Sequence, residues 1–279
     1  MTKSYIVLDN FISKEDCEIL IKDASFLKDS NYLKTHNGKR FLLSSSSIYF
    51  KYLIDRSNYW KNFHEKLNSG NLLDTIIHKF NIKKKFNSYN YFSNFNKINK
   101  NYLTYKNLGL LQINNLNTFT LIKYLFYRLY RLIKKNLFFS LVNFFSNQPL
   151  ELLYDYSKAI NGYKNEIHKD SYHRVFIFLL YLNKLEDVSK GGELKIYKNT
   201  SNTDSFSPDT TQCELCDIIT PSPGKLVLML NDNKYFHAVE EISNMQGTRN
   251  FIYGGYTILA GNNPFLSRNL KSTGLHMYE

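Results

Sequence analysis

Apolar positions follow two different periods along this chain. In the first half they recur at helical spacing. In the second they form short runs separated by Gly, Asn, Asp, Ser and Pro. Residues 4–9 predict a strand. Ser13 then precedes a helical pattern with Asp16 in its first turn, a capping-box-like start in which the hydroxyl serves orphan amides and the carboxylate sits at the positive helix end. Cys17, Ile19, Leu20 and Ile21 are the expected buried stripe of that helix, so Cys17 reads as packing. Residues 30–50, with Ser44 to Ser47, predict loop and short strand. Leu53, Ile54, Trp60, Phe63, Leu67, Leu72, Leu73 and Ile76 give residues 52–80 a helical face. Residues 83–118, rich in Asn, Lys and Tyr, predict loops. Residues 119–145 carry Phe119, Ile122, Leu125, Phe126, Leu129, Leu132 and Ile133 on one face and mostly Lys and Arg on the other. Such a basic amphipathic helix fits a support for a sheet or a contact with a membrane or partner. Pro149 ends that pattern.

From residue 150 the period changes. Val175 to Leu182, Glu193 to Tyr197, Lys225 to Leu230 and Phe251 to Leu259 predict strands, and residues 199–212 predict a long polar loop. The pattern is that of an α+β chain, helix-rich over 1–149 and strand-rich behind, whose strands suggest a sandwich or barrel. It reads as one domain over 1–279, with a helix-rich support region over 1–149 and a β core over 150–262.

Composition adds limits. At 43% hydrophobic and 22% charged residues the chain is globular. The net charge of +12 comes from lysines spread along the chain, so no nucleic-acid partner is expected. Three cysteines, Cys17, Cys213 and Cys216, make no disulfide framework, and the single Cys213–Cys216 pair lacks the second pair a structural zinc needs. These two read as loop or packing residues. The apolar run Tyr5 to Leu8 is too short for a signal-peptide core, and no apolar stretch has the length of a membrane span. The expected location is the cytoplasm. Oligomeric state is not legible.

The candidate chemistry lies in the second half. His168 and Asp170 are alternate residues, which on a strand share a face, while Lys169 points away. His237 follows the Lys225–Leu230 strand and the turn Asn231-Asp232-Asn233. Two imidazoles and one carboxylate can hold an iron ion and leave positions open for a co-substrate and dioxygen. Arg249 opens the last apolar strand, where a buried guanidinium needs an anion and matches a carboxylate with two parallel bonds.

The order of these pieces carries a resemblance. His168-Lys169-Asp170, Tyr181-Leu182-Asn183, Gly191-Gly192-Glu193-Leu194, Pro223-Gly224-Lys225-Leu226-Val227, His237-Ala238-Val239 and Arg249-Asn250-Phe251-Ile252 together resemble the Fe(II)/2-oxoglutarate-dependent dioxygenase superfamily, in its prolyl 4-hydroxylase-like group. The likeness covers about Leu152 to Leu259 well and residues 1–25 loosely, and it implies a single catalytic domain with a divergent insert at about 80–145. It implies a double-stranded β-helix (jelly-roll or cupin-like) core supported by N-terminal helices.

It also implies roles. His168, Asp170 and His237 would bind iron, and Arg249 would pair with the distal carboxylate of 2-oxoglutarate, helped by Tyr181. Tyr156, on the strand before the metal motif, is a further expected co-substrate contact, and Arg174 an expected substrate contact. Gly191 and Gly192 would form a turn. Expected cofactors are Fe(II), 2-oxoglutarate as co-substrate, dioxygen, and ascorbate as reductant. The implied reaction hydroxylates an unactivated C–H bond and turns 2-oxoglutarate into succinate and carbon dioxide. Asp170, where related halogenases carry a small residue, favours hydroxylation. The substrate reads as a protein or peptide side chain, with a small molecule such as a free amino acid or sugar-linked metabolite as the alternative. A non-catalytic β-helix binding module is disfavoured by the intact set. Nucleic-acid demethylases would show a second arginine where this chain has Tyr253 to Tyr256. His36, His64, His78 and His276 show no partner in the sequence, and His173 is not expected to be a ligand.

Overall fold

The computed structural model describes residues 3–35, 38–45, 47–83, 86–89, 149–184, 190–258 and 263–266. The amphipathic stretch 119–145 and most of 83–118 lie outside these residues. In chain order the elements are strand β1 (Tyr5–Leu8), helix α1 (Lys14–Ala24), strands β2 (Leu33–Lys34) and β3 (Arg40–Ser44), and helices α2 (Ile48–Arg56), α3 (Asn58–Asn68) and α4 (Asn71–Lys79). Then come β4 (Asn87–Tyr89), β5 (Pro149–Ala159), β6 (Asn165–His168), β7 (Arg174–Tyr181), β8 (Leu194–Asn199), β9 (Cys213–Ile219), β10 (Leu226–Leu230), β11 (Tyr235–Val239) and β12 (Arg249–Ile258).

The strands form two sheets. The larger runs β1-β10-β7-β12-β5-β3-β2, with β4 added parallel to β5; the smaller runs β6-β11-β8-β9. The larger sheet has both faces covered, so its central strand β7 is buried at every position. Its side chains still sort by the period of two. Phe176, Phe178 and Leu180 join a cluster with Cys17, Leu20, Phe50, Leu53, Trp60, Phe63, Leu67 and Ile76 of the helices. Ile177, Leu179 and Tyr181 join the opposite cluster, with Leu194, Ile196 and Ile219 of the smaller sheet. The fold is α+β, a double-stranded β-helix backed by helices on one face.

Local chemistry sets the helix ends. Ser13 accepts from the Asp16 amide at 3.0 Å and caps α1. Ser57 ends α2 and starts α3. It accepts from the Trp60 amide at 3.1 Å and donates to Asp23 of α1 at 2.5 Å, so one hydroxyl joins three helices. The Trp60 indole N–H donates to the Leu20 carbonyl at 2.9 Å, which meets the polar need of a ring with no exposure.

Several expectations change. The face of α1 is Cys17, Leu20 and Ala24, with Ile19 only half-buried, because positions 17, 20 and 24 share one side of a helix and position 19 falls beside it. Residues 87–89 form a strand. Cys213 and Cys216 stand on β9, the edge of the smaller sheet, where half-exposed polar positions hide the strand pattern. His64 does have a partner, the Tyr154 hydroxyl at 2.5 Å. Among the described residues no helix is long and apolar enough to cross a membrane.

Ser57→Ala is expected to lower unfolding free energy by about 1–2 kcal/mol, the cost of a lost cap with a buried partner left unpaired. Urea denaturation followed by circular dichroism measures this, and an unchanged midpoint would refute the role.

Candidate metal and co-substrate site

His168 is the last residue of β6 and His237 the middle of β11. The two are directly paired in the antiparallel register, with ring centroids 4.3 Å apart. Asp170 lies just beyond β6. One ligand atom from each of His168, Asp170 and His237 falls within 4.8 Å of the others. The His168 Nδ1–H donates to the Glu166 carbonyl at 2.7 Å, so the Nε2 lone pair is the one left for a metal. Lys169 does turn away from the histidines, but it enters the protein instead of solvent. Its ammonium donates to Asn233 at 2.9 Å and lies over the Phe236 ring, and only 4% of the residue is exposed.

The electrostatics favour ligands ready for a cation. Burial alone pushes the Asp170 carboxyl up, but Arg174 first, then His237, His168 and the Tyr253 hydrogen bond, hold it below the usual carboxylate range. Burial, reinforced by His168, pulls His237 down to about 3, against the opposing pull of Asp170. Its imidazole is therefore neutral near pH 7, as metal binding requires.

Arg249 opens β12 and is 1% exposed. Its Nη1 donates to the Gly192 carbonyl, its guanidinium lies over the Tyr181 ring at 4.8 Å, and its Nε has no partner. The Tyr181 hydroxyl, next to it, finds no hydrogen-bond partner of ordinary geometry; burial raises its pKa to about 12, with Arg249 pulling the other way. The Gly191-Gly192 turn has φ of 78° and 80°, and a Cβ on Gly191 would meet the Glu241 carbonyl oxygen at 1.8 Å, so the turn that presents the Gly192 carbonyl requires glycine.

Buried polar groups without partners are rare. Among the described residues four such side-chain atoms occur, and three are here: Asp170 Oδ2, Tyr181 Oη and Arg249 Nε. A cation beside Asp170 and a carboxylate beside Arg249 and Tyr181 would meet all three needs. The residues thus fit an iron ion and a dicarboxylate co-substrate.

Other expected residues fall differently. Tyr156 is fully buried but on the wrong face. It pairs with Ile252 in the register, packs against Trp60 and donates to Asn250 at 2.9 Å, whereas Arg249, Phe251 and Tyr253 face the opposite way. Its expected co-substrate contact is overturned by strand alternation. Arg174, the first residue of β7, is buried with Nη1 3.9 Å from Asp170 Oδ2. His173 is exposed and stands outside the ligand cluster. Tyr253 was not anticipated. It shares the Arg249 face of β12 and donates to Asp170 Oδ1 at 2.5 Å. The period of two from Arg249 was the available signal.

The pH dependence of the metal-free protein follows from His237. A histidine depressed to about 3 is unprotonated in the fold, while the unfolded chain takes up a proton below about pH 6.5. Stability is therefore full above about pH 6.5 and falls as pH drops from there toward 3, and Asp170 acts in the same direction at the acid end. Thermal melts from pH 7.5 to 4.5 are expected to show this fall in the metal-free protein, and His237→Asn is expected to flatten it. Equal slopes would remove His237 as the source.

Comparison with known proteins agrees with the geometry. Residues 153–255 match the model of the 2OG-Fe(II) oxygenase superfamily. No curated protein sequence matches the chain. Solved structures with likeness include a Pseudomonas putida prolyl-4-hydroxylase (11% identity, 93% of this chain and 95% of that one, TM-score 0.48). A viral collagen prolyl hydroxylase from Paramecium bursaria Chlorella virus-1, solved as a 2OG complex, has 11% identity over 92% and 96% (TM-score 0.45). A Trichoplax adhaerens prolyl hydroxylase, in complex with a hypoxia inducible factor peptide fragment, has 13% over 92% and 84% (TM-score 0.47). Likeness of this size carries no conclusion about substrate. The matched segment holds His168, Asp170, His237 and Arg249 on a double-stranded β-helix, and by that match the β core of this chain is a domain of the 2OG-Fe(II) oxygenase superfamily.

Proposed function

We propose that this chain is an Fe(II)- and 2-oxoglutarate-dependent hydroxylase of an unactivated C–H bond, acting on a protein or peptide side chain. The observation that carries the reaction class is the set of three buried atoms without hydrogen-bond partners, on Asp170, Tyr181 and Arg249, together with the His168–Asp170–His237 cluster. The peptide reading rests on the prolyl 4-hydroxylase-like motifs, among them Tyr181-Leu182-Asn183 ahead of Gly191-Gly192. We further take residues 1–279 as one catalytic domain, since β1, β2 and β3 complete the same sheet as β5, β7, β10 and β12.

In this reading His168, Asp170 and His237 hold Fe(II). Arg249 and Tyr181 receive the far carboxylate of 2-oxoglutarate, the guanidinium by charge and the phenol by its free hydroxyl. Iron with bound 2-oxoglutarate and dioxygen supplies the oxidising power, converting the co-substrate to succinate and carbon dioxide while the substrate gains a hydroxyl. Burial holds the His237 imidazole neutral for the metal, and Leu179, Met229 and Phe251, of the same apolar cluster as Tyr181, would shield the co-substrate from water.

A second reading, hydroxylation of a small polar molecule, is favoured by one observation. The inner face beside Tyr253 carries buried polar residues in convergence: Arg174, Ser157, and Asp155 opposite Tyr253 in the register.

Anaerobic titration of the metal-free protein with Fe(II) and 2-oxoglutarate is expected to give the weak visible charge-transfer band of the chelate. His168→Ala is expected to abolish it. Arg249→Ala is expected to keep metal binding and weaken 2-oxoglutarate binding on the order of 10- to 100-fold. No band with folded, iron-supplied protein would sink the reading. Succinate release stimulated by peptides and not by free amino acids would select the first substrate class, and the reverse the second.

A further inference from the structure

The inner face of β12 continues past the co-substrate end. Arg249, Phe251 and Tyr253 follow one another on that face, and two more arginines enter, one from the adjacent β7 and one from β3 beyond β5. Arg40 of β3 lies over Phe251 at 5.2 Å and over Tyr253 at 5.1 Å, held by two bonds to the Ser157 hydroxyl at 3.0 and 2.9 Å. Arg174 of β7 lies over Tyr253 at 5.0 Å. The stem of Arg174 crosses β12 at Gly255, where an added Cβ would stand 3.1 Å from Arg174 Cδ and 2.1 Å from the Phe176 carbonyl oxygen. The Tyr253 ring is therefore fixed by two cations, a favourable arrangement for a partly desolvated ring. Its one polar atom goes to Asp170 Oδ1 at 2.5 Å. The other oxygen, Oδ2, is buried with no hydrogen-bond partner, with Arg174 Nη1 at ion-pair distance, 3.9 Å.

From this arrangement we infer that Tyr253 is a positioning residue for the metal: its ring held by Arg40 and Arg174, it occupies Asp170 Oδ1 and so leaves Oδ2 as the single oxygen offered to the ion. The inference rests on the His168–Asp170–His237 reading of the site. A carboxylate free to rotate can offer one oxygen or two, and two would fill a position that a co-substrate or dioxygen needs. A ring held by cations and bonded to Oδ1 removes that freedom before the metal arrives. Groups that orient a ligand in this way commonly affect metal affinity by roughly 10- to 100-fold.

The test is Co(II) titration of the metal-free full chain, read by affinity and by the visible ligand-field bands, which are weaker for six-coordinate than for five-coordinate Co(II). Tyr253→Phe deletes one oxygen and keeps the ring between its arginines. The expected result is a Kd raised on the order of 10-fold and weaker bands, with an unchanged melting temperature in the metal-free state. Phe251→Leu, which perturbs the same stack but carries no hydroxyl, is expected to leave the Co(II) spectrum as in wild type. A wild-type Kd and spectrum in Tyr253→Phe would overturn the inference while leaving the site reading intact, and so would an equal loss in Phe251→Leu. 3-Fluorotyrosine placed at position 253, which keeps ring and donor, is expected to bind Co(II) at least as tightly as wild type; a 10-fold loss there would overturn the inference even if Tyr253→Phe failed to fold. Wild-type protein that binds no Co(II) would overturn the site reading and this inference together.

Discussion

The register between β6 and β11 is the constraint on which the rest depends. His168 and His237 are far apart in sequence and come within reach of a common ion only because they stand opposite each other on adjacent strands. A slip of one residue would turn one imidazole to the other face. The smaller sheet therefore has to be held in place by something stronger than its own edge, and the facing apolar cluster does this. Leu194, Ile196 and Ile219 pack on Ile177, Leu179 and Tyr181 of the larger sheet. Helices α1 to α4 cover the far side of that larger sheet and keep it rigid.

Charge is organised around the same point. Asp170 is a carboxylate with only 8% of the residue exposed, and such a group is tolerable because Arg174 and Tyr253 approach it. Farther along β12, Arg249 is held by the Gly192 carbonyl and the Tyr181 ring. The site thus has an acidic and a basic end, each with an atom that lacks a hydrogen bond inside the protein. That separation suits a metal at one end and a carboxylate at the other.

Much of this was legible in the chain, for identifiable reasons. His168, Asp170, His237 and Arg249 announce themselves because their chemistry is unusual in strands and their order is distinctive. The strands β7, β10 and β12 show as apolar runs because both their faces are covered. Tyr156 was misplaced because distance along the chain from His168 says nothing about the face a strand presents; its pairing with Ile252 does. Tyr253 was passed over as the absence of an arginine, though its spacing from Arg249 put it on the same face. β9 was missed because an edge strand with exposed Leu215 and Ile218, interrupted by the carboxylates of Glu214 and Asp217, has no long apolar run.

The position of β1 has a consequence for assembly. This strand comes from the first residues of the chain, yet it lies on the sheet edge against β10, with Tyr5 opposite Met229 and Leu8 opposite Leu226. The contact order of the sheet is accordingly high, and topologies of that kind fold slowly. On a ribosome, β1 and α1 emerge long before their partners, and the Cys17 face stays without its sheet until β7 and β10 follow. Because β11 and β12 come later still, the pairing of His168 with His237 is among the last contacts a nascent chain can make. The His168–Asp170–His237 cluster can therefore form only after β11 has emerged, and a chain stalled before β11 would carry the helices without it.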